Sequence, residues 1–219
     1  LLLIATADAA PRHAISGRTG LLTVREGKNQ VRAEDIQVDA QVQGGQITIT
    51  QTYRLRAQRA SDGGPLQIEI GLREDDYQRV SVENTPRRGF ARFSAALDGK
   101  PLKMEATAWS INRVGDTATR WRTAKIDFTA GQLRTLRVQT VAPLGVYGNK
   151  PLVQFISKDL GGWQGKPNRV EIRLRLPGSM ESRVAGVEPK PVNINSAGIR
   201  WVYRKASMRR DIFVLLPPK

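Results

Sequence analysis

The chain has 219 residues, with 35 lysines and arginines against 20 aspartates and glutamates, a net charge of +15 and a pI near 10.9. It has no cysteine, which excludes disulfides, thiolate catalysis, iron–sulfur ligation and the usual zinc sites. His13 is the only histidine and cannot supply a histidine metal cluster or the base of a conventional Ser/His/Asp triad, so no cofactor and no metal are expected.

The first residues, LLLIATADAA, are an apolar run followed by small residues in Ala-x-Ala spacing at Ala5-Thr6-Ala7 or Ala7-Asp8-Ala9, the pattern that ends an export signal. The run is too short to span a bilayer, which takes about 20 residues. Leu1, Leu2, Leu3 and Ile4 are therefore expected as a membrane-proximal anchor or as a segment docked on a partner. The alternative is the apolar start of a strand. Export implies a periplasmic or otherwise extracytoplasmic, membrane-associated protein. Residues 11–20, PRHAISGRTG, form a polar, turn-rich lead.

Leu21 to Arg25 is a short strand candidate, closed by Glu26 to Asn29. The strongest pattern follows. Ile36, Val38, Ala40 and Val42 alternate with polar residues, then come Gly44-Gly45, and Ile47, Ile49, Gln51, Tyr53 and Leu55 alternate again. This predicts a β-hairpin with a two-residue glycine turn and one dry face. Such a hairpin needs a second sheet to cover it. After the loop Ser61-Asp62-Gly63-Gly64-Pro65, alternation resumes at Leu66, Ile68, Ile70 and Leu72, and Tyr77 to Glu83 reads as another short strand. Phe90 to Leu97 runs into the hairpin turn Asp98-Gly99, with Leu102 to Ile111 as the expected partner strand.

Trp121 to Phe128 and Leu133 to Val141 read as two strands joined by Thr129-Ala130-Gly131-Gln132. Pro151 to Lys158 is a further strand, and Arg169 to Leu176 the cleanest in the second half. Gly198 to Arg204 and Asp211 to Leu216 read as a closing strand pair around the basic turn KASMRR, and prolines end the chain's pairing. No window carries a helical stripe. Short strands at intervals of about 10 residues argue for an all-β antiparallel sandwich over residues 21–216, with a possible subdivision near Pro86 or Pro143, one sandwich or two.

Arg169, Arg173 and Arg175 alternate with Val170, Ile172 and Leu174, and Arg54 and Arg56 flank Leu55. These read as the wet faces of strands, and their mixing with Glu171, Glu69 and Asp127 speaks against a single-strand nucleic-acid binder. Glu74-Asp75-Asp76 is a run of acids, but it lacks the spacing of a calcium loop. Gly161, Gly162 and Gly165 bracket Trp163 without a Walker pattern. They allow a close backbone approach and suggest an exposed interface anchor at Trp163, or else a tryptophan folded back as a plug. Trp109, Trp121 and Trp201 are expected in core or half-buried positions. The paired turn charges Arg87-Arg88 and Arg209-Arg210 are candidate contacts to an acidic partner or anionic lipid.

QITITQTYRLR, LDGKPL, DFTAGQLRTLRVQTVAPLG and LGGWQGKPNRVEIRLRLP, in that order, resemble a poorly characterised bacterial family of exported β-sandwich proteins carrying a domain of unknown function. The first half is also similar to the vault/inter-alpha-trypsin-type β-domain. The likeness spans Gly20 to Pro177 and implies an extracytoplasmic sandwich with no assigned catalytic residues. Together these readings lead to a non-catalytic accessory or structural subunit that docks on an integral-membrane or envelope complex, respiratory or photosynthetic machinery being one candidate. The alternative is a carbohydrate or nucleic-acid binding module. With aromatic residues at only 6%, the supply for a sugar-stacking face is thin.

Overall fold

In the computed structural model the described residues are 18–58, 66–76, 89–112, 117–147, 150–155, 163–177, 184, 186–195, 198–204 and 211–217. Among them every regular element is a strand, in chain order β1 (Arg18–Thr19), β2 (Thr23–Glu26), β3 (Val31–Gln43), β4 (Gln46–Ala57), β5 (Leu66–Asp76), β6 (Arg92–Leu97), β7 (Lys100–Pro101), β8 (Glu105–Ala106) and β9 (Ser110–Asn112). The second half holds β10 (Thr117–Phe128), β11 (Leu133–Pro143), β12 (Gly145–Tyr147), β13 (Lys150–Phe155), β14 (Arg169–Arg175), β15 (Gly186–Glu188), β16 (Asn193–Asn195), β17 (Gly198–Arg204) and β18 (Ile212–Leu215). The chain is an all-β sandwich.

One layer is an eight-stranded sheet in the order β16-β17-β14-β3-β4-β11-β6-β7. Its centre is the predicted hairpin β3–β4. Gly44 and Gly45 both take positive φ, 58° and 80°, the type I′ geometry whose twist matches the strands it joins. The period-2 pattern then buries Ile36, Val38, Ala40, Val42, Ile47, Ile49, Tyr53 and Leu55 on one face. Two five-stranded sheets, β2-β5-β10-β8 with β9 on β10, and β1-β13-β18-β15 with β12 on β13, bring their apolar residues to the same core. Ile68, Ile70, Leu72, Ile126 and Phe128 come from the first, and Val153, Phe155, Ile212 and Val214 from the second.

The topology departs from the sequence expectation in three places. β14 runs parallel to β3 and β1 parallel to β13, so the sandwich is mixed rather than purely antiparallel. Leu102 to Ile111 is not one strand: after Pro101 the chain leaves β6 and supplies β8 and β9 to β10 in the opposite layer, with Met104 buried at the crossing. β10 and β11 are two strands joined at Thr129–Gln132, as read from sequence, and the turn carries the chain between layers, β10 lying on β5 and β11 between β4 and β6. β17 and β18 likewise belong to different sheets, on β14 and β13 respectively. Local pattern marked β14, β17 and β18 as strands and long-range burial chose their partners, whereas β1 lies in the stretch read as a polar, turn-rich lead. The expected strand Tyr77 to Glu83 lies outside the described residues.

A buried polar network ties the hairpin to the segment before β2. Tyr53 Oη donates to Gln51 Oε1 at 2.7 Å and accepts the Leu22 N–H at 2.9 Å, while Gln51 Nε2 donates to Gly20 O at 2.9 Å. Gln51 and Tyr53 are 1% and 0% exposed, so each of these bonds replaces water that cannot reach them. The core cluster is continuous and includes residues on both sides of Pro86 and of Pro143.

Candidate docking surface

The opposite face of the eight-stranded sheet is polar, and its chemistry follows from the same alternation. In β14, Val170, Ile172 and Leu174 point into the core, which turns Arg169, Glu171, Arg173 and Arg175 outward. The parallel register on β3 sets these beside Asp35, Gln37, Asp39 and Gln41. β17 adds Arg204 opposite Arg169 and Arg200 opposite Arg173. β4 and β11 extend the rows with Arg54, Thr52, Thr50, Thr48, Arg137 and Gln139.

Glu171 is the pivot of this face. Its Oε1 accepts from Arg173 Nε and Arg200 Nε, both at 2.7 Å, and its Oε2 accepts from Arg169 Nη2. The two neighbours two residues away lie on the same face of the strand, and apolar Val202 stands opposite Glu171, so Arg200 reaches it diagonally. The carboxylate is about 5% exposed, whereas its three arginines are each a little over 40% exposed. Burial alone would raise the Glu171 pKa, but the hydrogen bonds from Arg200 and Arg173 and the charge of Arg169 overcome it, and the group is held below its ordinary value. Three guanidiniums thus share one carboxylate, with Asp39 4.0 Å from Arg173. The cluster remains net positive.

Farther along the face, Asp35 pairs with Arg54 at 3.4 Å, and Glu34, the extra residue of a bulge in β3, pairs with Arg56. Arg137, Arg175 and Arg204 are exposed, with no ion pair among the described residues. The arginines here outnumber the carboxylates. A cationic sheet face with threonine and glutamine between the charges can hold an acidic surface by many individually weak contacts. Among the described residues no group of three or more metal-ligating side chains occurs.

Of the partner-binding residues singled out from sequence, Trp163 and Gly165 are among those described. Trp163 is 5% exposed, which corrects the expectation of a displayed anchor. Its ring stacks on Tyr53 with centroids 5.8 Å apart, and its Nε1–H donates to Leu22 O at 3.3 Å. The tryptophan plugs the core because that position satisfies both its apolar body and its one donor. Gly165 takes φ 62° with open space around it, so it serves a left-handed turn and not a close backbone approach. Gly161, Gly162, Arg87, Arg88, Arg209, Arg210, Leu1, Leu2, Leu3 and Ile4 lie outside the described residues. Trp201 is fully buried, and Trp109 and Trp121 are half-buried. Glu74 and Asp75 project to opposite faces of β5, as strand alternation requires, so they cannot share a cation.

No protein-family model matches the chain, and no curated protein sequence matches it. Among solved structures the fold is similar to that of a proposed nutrient binding protein from Legionella pneumophila, with a TM-score of 0.67 and 9% identity over 93% of this chain and 71% of that one. Leukotriene A4 hydrolase from Saccharomyces cerevisiae aligns at a TM-score of 0.46 and 9% identity, over 96% of this chain and 32% of the hydrolase. A zinc metallopeptidase from Deinococcus radiodurans aligns at 0.41 and 10% identity, over 86% of this chain and 42% of the enzyme. At these identities the Legionella similarity concerns the fold alone.

Proposed function

We propose that this chain is a non-catalytic docking module, an exported accessory subunit that binds an acidic partner surface on a membrane-bound or envelope complex through the arginine face of its eight-stranded sheet. The observation that carries the reading is the Glu171 cluster, in which one buried carboxylate holds Arg169, Arg173 and Arg200 in fixed directions and still leaves positive charge in excess. Fixed side chains lose less entropy on binding than free ones. The net charge of +15 adds long-range attraction to the same partners, and the resemblance to exported β-sandwich proteins supports the location.

The test is to solubilise native membranes in mild detergent, separate intact complexes, and follow the chain by mass spectrometry beside the variant Arg137→Glu, Arg175→Glu, Arg204→Glu. These three arginines lie outside the Glu171 cluster, so the fold is expected to survive their reversal. Co-migration with one large complex, lost in the variant and weakened by moderate salt, supports the proposal. Migration as a free monomer at low and moderate salt alike sinks it.

A further inference from the structure

A second arrangement of arginines lies on the other layer, at the margin between β10 and β6. Alternation along β10 turns Arg120 and Arg122 to the inner side, the same side as Ala124, Ile126 and Phe128. There they meet Glu74 of β5, which is 1% exposed. Glu74 Oε2 accepts from Arg120 Nε at 2.5 Å and from Arg122 Nε at 3.2 Å, and Oε1 accepts the Phe90 N–H. Gly89 precedes Phe90 because a Cβ there would overlap the Glu74 carboxylate. Both acceptor oxygens of the buried acid are therefore committed.

The two guanidiniums are not. Each gives only its Nε edge to Glu74, and among the described residues the Nη groups make no hydrogen bond. Each lies over an aromatic ring, Arg120 Cζ 4.5 Å from the Trp109 centroid and Arg122 Cζ 4.6 Å from that of Phe93, which stacks on Phe90. Both Nε–H groups converge on one oxygen, Glu74 Oε2, so the two guanidiniums meet at the same carboxylate. Their side chains are 22% and 19% exposed, so solvent reaches them. Two arginines against one carboxylate leave a positive charge unmatched in a partly dry, aromatic-walled setting. A purely structural bridge would be complete with a single arginine, and a second half-buried cation costs desolvation that one carboxylate does not fully offset.

The geometry points to a binding site for a small oxyanion, the carboxylate or phosphate group of a solute or a lipid headgroup, received by the Nη edges of Arg120 and Arg122. Guanidinium Nη groups offer parallel N–H donors that match two oxygens of such a group. Glu74 is a positioning residue that holds the donors, and the rings exclude water from their flanks.

The test is calorimetric titration of the full chain with citrate and with inorganic phosphate, and flotation with vesicles containing phosphatidic acid, repeated on Arg122→Lys and on the triple variant of the outer face. Arg122→Lys retains a cation for Glu74 but loses the fork. Saturable binding of a free probe by the wild type, weakened about tenfold or more in Arg122→Lys and unchanged in the triple variant, supports the site and identifies a solute source. Vesicle binding without free-probe binding, with the same variant pattern, supports it with a lipid source. Absence of saturable binding in every wild-type arm overturns it, as does binding that the triple variant abolishes and Arg122→Lys leaves intact. Should Arg122→Lys fail to fold, the wild-type and triple-variant arms still decide between these outcomes. Failure here leaves the outer-face proposal standing, because the two faces are changed separately.

Discussion

At the scale of single residues, Glu171 and Tyr203 make opposite predictions. Glu171 is buried and fully bonded, so Glu171→Gln leaves three guanidiniums without their shared anion and lowers stability at neutral pH by about 1–2 kcal/mol, a figure reduced for the exposure of the arginines. Its pKa is depressed in the folded state. The stabilisation from ionisation is therefore present above the ordinary value of 4.5 and is lost as pH falls through the lower folded value. Melting temperatures measured from pH 7 to pH 2.5 are expected to show wild type and Glu171→Gln converging below pH 4.5, and parallel curves would refute the coupling. Tyr203 packs toward the core with its hydroxyl buried and, among the described residues, without a hydrogen-bond partner, and burial pushes its pKa up. Tyr203→Phe removes an unsatisfied group without opening a cavity, and chemical denaturation should show it unchanged to about 1 kcal/mol more stable. A loss of more than 1 kcal/mol would mean that the hydroxyl has a partner.

At the scale of elements, the hairpin β16–β17 depends on a backbone approach that only glycine allows. Gly198 takes φ 116°, and a Cβ there would overlap Leu174 O at the end of β14. Gly198→Ala is expected to lower stability by about 1–3 kcal/mol and to expose Trp201, seen as a red shift in tryptophan emission. An unshifted spectrum at wild-type stability would show that β17 docks without this contact. The same elements show what could be read from sequence. The alternation of RVEIRLR and of QITITQTYRLR marked faces as well as strands, because a half-buried strand writes its burial at period two. The Glu171 cluster was half legible: one glutamate among arginines of the same parity was visible, but Arg200 joins it only through pairing 29 positions away. β15 and β16 are three residues each and carried no pattern to detect. Nor could Trp163 be oriented, since the partners that draw it inward, Tyr53 and Leu22, are more than a hundred positions distant in the chain.

For the whole molecule, the question is whether the layers stand or fall together. Trp163 lies on Tyr53 of the large sheet and bonds Leu22, which leads into β2 of the opposite layer. Tyr53 and Gln51 bond the same segment from the hairpin side. Residues before Pro86, between Pro86 and Pro143, and after Pro143 contribute to one continuous core. The three groups share that core, so partial unfolding would expose core surface at about 25 cal/mol per Å² on the part left folded, which the chain entropy regained by the released part does not remove. Urea unfolding followed by far-ultraviolet circular dichroism and by tryptophan emission should therefore give coincident single transitions. Trp163→Ala, which removes the plug and the contact between layers, should shift both midpoints together by an amount corresponding to about 3–5 kcal/mol. Separation of the two transitions in the variant would mean that the layers hold independent cores and that the single continuous core does not unfold as one unit.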